Sequence, residues 1–242
     1  MHSLRSLAAV ALTAGITASA SADFIVPDGT TAPFQDWSQG DSDSLYAQWD
    51  VFTVAYAGAG NAPDVGSFPT VGSPLGGDAL LFGNTSAAFL TSSGNIYSFS
   101  SPTDFTLEAT NYGNGTGWNT RVAVQIRTQG NPLDLGSLEL TYDDGVEVTL
   151  DPAYYEEVYN EALGGQGGAA IDHLFVFDIA GYNPASFSVD FKASTSSMSL
   201  DRLAVDTFTT TGNLAALPVP EPASLALMLI GSGLVSARNR RG

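Results

Sequence analysis

Apolar and polar residues alternate with a period of two along most of the chain. In RVAVQIR, Val122, Val124 and Ile126 fall on one side and Arg121, Gln125 and Arg127 on the other. SFSVDFK separates Phe187, Val189 and Phe191 from Ser188, Asp190 and Lys192, and DFTLEAT repeats the pattern through Phe105, Leu107 and Ala109. This period is that of a strand with one face buried. LELTYDDGVEVTL reads as a hairpin that turns at Asp144-Gly145, with Leu138, Leu140 and Tyr142 facing Val146, Val148 and Leu150. HLFVFDI is apolar on both faces and reads as a central strand. SLYAQWDVFTVAY, NIYSFS and SLDRLAVDTF bring the set to about eight to ten strands.

One stretch departs from this period. In DPAYYEEVYNEALGG, Asp151 suits an N-cap, Pro152 a first helical position and Gly164 a stop. Tyr155, Val158, Tyr159 and Ala162 would form the inner side of a helix over 152–163. No βαβ alternation occurs, so a parallel sheet is not expected. The fold class is therefore all-β: an antiparallel two-sheet sandwich, jelly-roll-like, with one short helix. It occupies residues 23–208, with Trp37 and Trp49 in its core and a linker over 209–219.

Both ends of the chain follow other rules. Arg5, the apolar run Leu7 to Ala18 and the small residues Ala20-Ser21-Ala22 have the order of a secretory signal peptide. Residues 1–22 are then removed by signal peptidase after passage through the Sec translocon, leaving Asp23 as the first residue. At the other end, Pro220-Glu221-Pro222 precedes fifteen uncharged residues, Ala223 to Ala237, and then Arg238, Arg240 and Arg241. A helix of that length is about 22 Å long, short of a hydrocarbon core of about 30 Å. Its arginines would stay cytoplasmic.

This triplet, apolar helix and basic end together resemble the PEP-CTERM sorting signal, over residues 220–242. The resemblance implies a protein exported by a Gram-negative, exopolysaccharide-producing bacterium. It also implies recognition by exosortase, cleavage near the triplet, and inner-membrane anchoring that is only transient. The cell surface or extracellular matrix is the implied destination. Two prolines hold the approach extended, as presentation to an enzyme cleft requires. The resemblance covers the tail and says nothing of the body's activity.

Charge narrows the choice of partners. The chain carries 25 acids against 8 bases, and its formal net charge is −17. Half of the basic residues lie in the two terminal segments. A body this acidic repels phosphate backbones, so nucleic acid is excluded as a partner. The lack of cysteine removes disulfides, thiolate catalysis and cysteine metal sites.

The body offers few candidates for chemistry. Once His2 leaves with the signal, His173 is the remaining histidine, in an apolar strand, which makes a Ser-His-Asp triad an unfavoured reading. Paired carboxylates suffice for a glycosidase, and Glu139, Glu147, Glu156 and Glu157 are the candidates. Asp36, Asp41 and Asp43, with Asp50 nearby, sit in a Gly/Ser-rich stretch that can wrap calcium. Their spacing departs from the EF-hand pattern, and a solvated acidic loop is the simpler reading. No cofactor is expected, with calcium the one candidate. TNYGNGTGWNT presents Tyr112 and Trp118 in a Gly/Asn loop, a composition suited to stacking on sugars, although Trp118 can equally fold over the core. The leading expectation is a non-enzymatic surface or matrix protein whose body adheres to or contacts carbohydrate, with exopolysaccharide as ligand. The alternative is a secreted polysaccharide hydrolase.

Overall fold

The computed structural model describes residues 37, 41, 43–67, 79–164 and 167–217. They form fifteen strands: β1 (Ser44–Trp49), β2 (Val65–Ser67), β3 (Ala79–Gly83), β4 (Phe89–Leu90), β5 (Ile96–Tyr97), β6 (Asp104–Thr110), β7 (Gly115–Thr116) and β8 (Asn119–Gly130). β9 (Glu139–Asp143), β10 (Glu147–Leu150), β11 (Tyr154–Ala162), β12 (Ala169–Ile179), β13 (Tyr182–Asn183), β14 (Ser186–Lys192) and β15 (Met198–Thr210) follow. A single 3-10 turn, Leu135–Ser137, is the helical element among the described residues.

Two antiparallel sheets carry the fold. The larger runs β11-β12-β8-β15-β1-β2, with β5 added beside β15 and β4 beside β5. The smaller runs β10-β9-β14-β6-β3. The period-two residues of both meet in one core. Val122, Val124 and Ile126 of β8 join Phe175 and Phe177 of β12, and both pack with Phe105, Leu107, Phe187, Val189 and Phe191 of the smaller sheet. The Phe105 and Phe191 rings stack 5.1 Å apart at 24°. Burying each such ring stabilises the fold by about 1.5–3 kcal/mol. HLFVFDI is an interior strand, β12; Phe175 and Phe177 face the core between the sheets while Leu174 and Val176 pack with Ala123 on the outer face, so both its faces are apolar. Trp49 is fully buried in the core, and Trp37 is buried by stacking on Phe208 at 5.2 Å.

The helix expected over 152–163 does not form; that segment is β11, an edge strand of the larger sheet. The reason lies in a β-bulge between Glu157 and Tyr159. Tyr155 pairs with Phe175 and reaches the core, while Tyr154 packs with Ala123, Leu174 and Val176 on the sheet's outer face. Alternation puts Val158 in the outer cluster with Tyr154, and the residue inserted by the bulge turns Tyr159 to the same face, beside Arg127. A period of two broken by one insertion mimics helical spacing. Pro152 precedes the strand and Ala153 N–H already donates to the Val176 carbonyl. In the hairpin, Val146 belongs to the turn and is exposed rather than core-facing; Gly145 there takes φ +106°, which a side chain would resist. The expected signal and C-terminal helices lie outside the described residues.

Candidate functional site

β4 and β5 form a small hairpin at one end of the larger sheet. Its turn is closed by Thr91 N–H on the Asn95 carbonyl (2.9 Å) and Asn95 N–H on Thr91 Oγ1 (3.1 Å). Gly94 in that turn has φ +88°, and its carbonyl accepts from Phe52 N–H at 3.1 Å. Asn95 Nδ2 donates to Asp201 Oδ1 at 2.9 Å, which fixes the hairpin to β15. The register Ile96↔Leu200 and Tyr97↔Ser199 then sets the phase. Ile96 and Ser98 point inward and are fully buried, so Tyr97 and Phe99 point outward.

Phe89 lies directly opposite Tyr97 in the hairpin. The three outward rings touch one another. Tyr97 and Phe99 meet edge-to-face at 4.7 Å, Phe89 and Tyr97 edge-to-face at 5.7 Å, and Phe89 and Phe99 stack at 5.5 Å. They are nonetheless open to solvent: Phe99 is 72% exposed and Phe89 39%, with Leu90 beside them at 37%. Isolated apolar side chains on a surface are ordinary; three mutually contacting rings form a continuous apolar patch.

Beside these rings lies a cleft of about 630 Å³, lined by Tyr97, Phe99, Gln129, Asn131, Ser197 and Ser199, with Leu163 and three glycines. Its floor is close backbone packing. Ser197 takes φ +68° and donates its N–H to the Ser98 carbonyl at 2.8 Å. A Cβ on Gly130 would fall 2.5 Å from the Ser197 oxygen, and one on Gly168 would fall 2.4 Å from the Gly130 oxygen. Asn131 Nδ2 donates to the Ser196 carbonyl at 2.7 Å, which orients its amide. None of the described residues that line the cleft is a carboxylate, although the chain is strongly acidic. Aromatic faces flanked by amides and hydroxyls suit a polyhydroxylated, neutral ligand: C–H groups lie on the rings and hydroxyls meet the amides.

The residues expected from the sequence lie elsewhere. Tyr112 is half-buried, and its hydroxyl donates to the Ser44 carbonyl at 2.8 Å. Burial first, and the charge of Asp43 second, raise its pKa. Trp118 is also half-buried. Both sit at the start of β8, whereas the aromatic cleft is at its far end, about 36 Å away along the strand. The backbone of Asp41 and Asp43 starts β1: the Asp41 carbonyl accepts from Ser44 N–H at 3.1 Å, and the Asp43 carbonyl from Thr209 N–H at 2.9 Å. No group of three or more potential ligands that could hold a metal occurs among the described residues. Asp36 lies outside them, as do Ala20, Ala22, Asp23, Pro220, Glu221, Pro222, Arg238, Arg240 and Arg241.

His173 is buried in β12, its Nδ1 3.1 Å from the Tyr155 hydroxyl and its ring beside those of Tyr155 and Phe175, which also touch each other at 4.9 Å. Burial lowers its pKa, against weaker opposing effects of Glu157 and Asp172. Of the four glutamates weighed as catalytic pairs, Glu139 and Glu147 lie on the smaller sheet, Glu156 and Glu157 on β11. Glu147 shares a second cleft, about 350 Å³, with Glu108 and Asp143.

The sequence also held a signal for the aromatic cleft. In NIYSFS the phase of Ile96 and Ser98 sends Tyr97 and Phe99 outward, which places aromatic rings on the polar side of the strand. Which strands bring Phe89, Asn131 and Ser197 beside them depends on topology that spacing alone does not reveal.

The PEP-CTERM protein-sorting motif matches residues 218–241. The chain therefore carries the tail by which exosortase recognises proteins for export and membrane-associated sorting to the cell surface. No curated protein matches the chain.

Proposed function

We propose that this is a non-enzymatic cell-surface or matrix protein of an exopolysaccharide-producing Gram-negative bacterium, whose body contacts polysaccharide through the Phe89–Tyr97–Phe99 surface. Signal peptidase frees Asp23, the tail anchors the precursor in the inner membrane, and exosortase cuts near Pro220-Glu221-Pro222. No cofactor enters this reading. The observation that carries it is the three-ring cluster, with Phe89 and Phe99 exposed, beside a cleft whose described lining is amides, hydroxyls and apolar groups. Its position supports display: the chain leaves β15 at Thr210, the end of the strand remote from the cleft.

Glycan-array binding by the purified body, residues 23–217, tests the reading. Binding to neutral polysaccharides that falls at least tenfold in Phe99→Ala is the expected result; no binding, or binding unaffected by Phe99→Ala, would reject it. Mass spectrometry of surface-extracted protein tests the sorting: most molecules should begin at Asp23 and lack the C-terminal NRRG. A hydrolase remains the second reading, favoured by Glu108, Asp143 and Glu147 around the smaller sheet's cleft. Release of reducing ends from a bound polysaccharide, lost in Glu147→Gln, would establish it instead.

A further inference from the structure

The segment between β15 and the sorting motif is not a free spacer. Residues 211–217 turn back across the outer face of the larger sheet and are held at three points. Asn119 Nδ2 donates to the Gly212 carbonyl at 2.9 Å. Arg121 Nη2 donates to the Ala215 carbonyl at 2.8 Å. Leu217 packs on the cluster of Ala123, Leu174 and Val176, beside Tyr154 and Val158. Only Pro218 and Val219 then separate docked Leu217 from Pro220. Three residue steps reach at most about 11 Å, even fully extended.

This geometry conflicts with processing. A protease holds its substrate as an extended strand, with main-chain contacts over several residues. With the segment docked, Pro220 stays within about 11 Å of Leu217 and Pro222 within about 18 Å, which leaves little free chain upstream of the triplet to thread a cleft. We infer that residues 211–217 are a strap that must lift off the sheet before exosortase can cut, so that strap docking governs the rate of processing. The inference rests on the sorting reading of the tail.

The contacts suit a reversible latch. When the strap leaves, Arg121 keeps both bonds to Asp178, at 2.7 and 2.8 Å, so release strands no unpaired charge. Among the described contacts, those given up are the Arg121 bond to the Ala215 carbonyl, the Asn119 bond to the Gly212 carbonyl and the packing of Leu217. After cutting, the new C-terminus can settle back on the same face.

Two full-length variants test this in a host with exosortase, by pulse-chase conversion of precursor to mature protein. Leu217→Ser loosens the strap without touching the sheet. Six Gly/Ser residues inserted between Leu217 and Pro218 supply free chain while leaving the strap docked. Each should speed conversion at least threefold, and Leu217→Ser should add nothing once the insertion is present. Unchanged or slower conversion in both variants would overturn the strap. Independent, multiplying effects would also overturn it, since one obstacle cannot be removed twice. A wild-type precursor that never converts would instead reject the sorting reading beneath it.

Discussion

Arg121 and Asp178 grip each other in a two-point fork across β8 and β12, Nε to Oδ1 at 2.7 Å and Nη2 to Oδ2 at 2.8 Å. The pair is lopsided: Arg121 is 1% exposed and Asp178 28%. A guanidinium that deep needs its carboxylate more than the carboxylate needs it.

Asp178→Ala should therefore cost about 2–3 kcal/mol, since it takes both fork bonds from a buried guanidinium. The double variant Arg121→Met/Asp178→Leu should be less damaging than Asp178→Ala alone. Urea melts of the body at neutral pH compare the three; a double variant worse than the single would contradict the argument.

His173 makes stability depend on pH in one direction. Burial lowers its folded pKa, so below about 6.5 the unfolded chain binds a proton that the folded chain refuses. Stability then falls as the pH drops through the mid-6 range and the loss levels off below the folded pKa. Because His173 is the one histidine after Asp23, His173→Phe, which keeps the stack with Tyr155 and Phe175, should remove this slope. Melting temperatures at pH 7.5 and 5.5 decide it: the wild-type body should lose more on acidification than the variant.

At Gly130 the backbone takes φ +93°, and a Cβ would fall 2.5 Å from the Ser197 oxygen. Gly130→Ala should thus destabilise the body by at least about 2 kcal/mol through strain and backbone displacement. Gly145→Ala, with φ +106° but nothing near its Cβ, should cost about half of that. Chemical denaturation of both variants separates conformational strain from collision.

Phe99→Ala should leave stability within about 0.5 kcal/mol of wild type, because the ring is 72% exposed. Trp118→Ala, at the other end of β8, should leave glycan affinity unchanged while lowering the melting temperature. Binding isotherms and melts on the same two proteins would show the opposite pattern if Trp118 were the stacking residue.

Strands were legible in the sequence wherever one face is buried throughout, as in β6, β8 and β14, because the side-chain period and the burial period coincide. β11 was not, because its bulge adds one residue and turns alternation into an apparent helical face. The site was half legible. Tyr97 and Phe99 are local and follow from phase, but Phe89 joins them only through the hairpin register. Gln129, Asn131 and Ser197 arrive only because β8 ends where β15 begins. Tyr112 and Trp118 have the composition of a sugar-binding loop, yet Tyr112 spends its hydroxyl on the Ser44 carbonyl.

The bulged margin of β11 bears on life at high density. Proteins carried to a surface sit shoulder to shoulder, and an exposed straight strand would zip neighbouring molecules into ribbons. Here the outermost strand is kinked at Glu157/Tyr159 and bears Glu156, Glu157 and Glu161, while the opposite margin, β2, is only three residues long. Along these two margins of the described larger sheet, a neighbour would meet glutamates that repel its own or a row of amides too kinked or too short to extend the sheet.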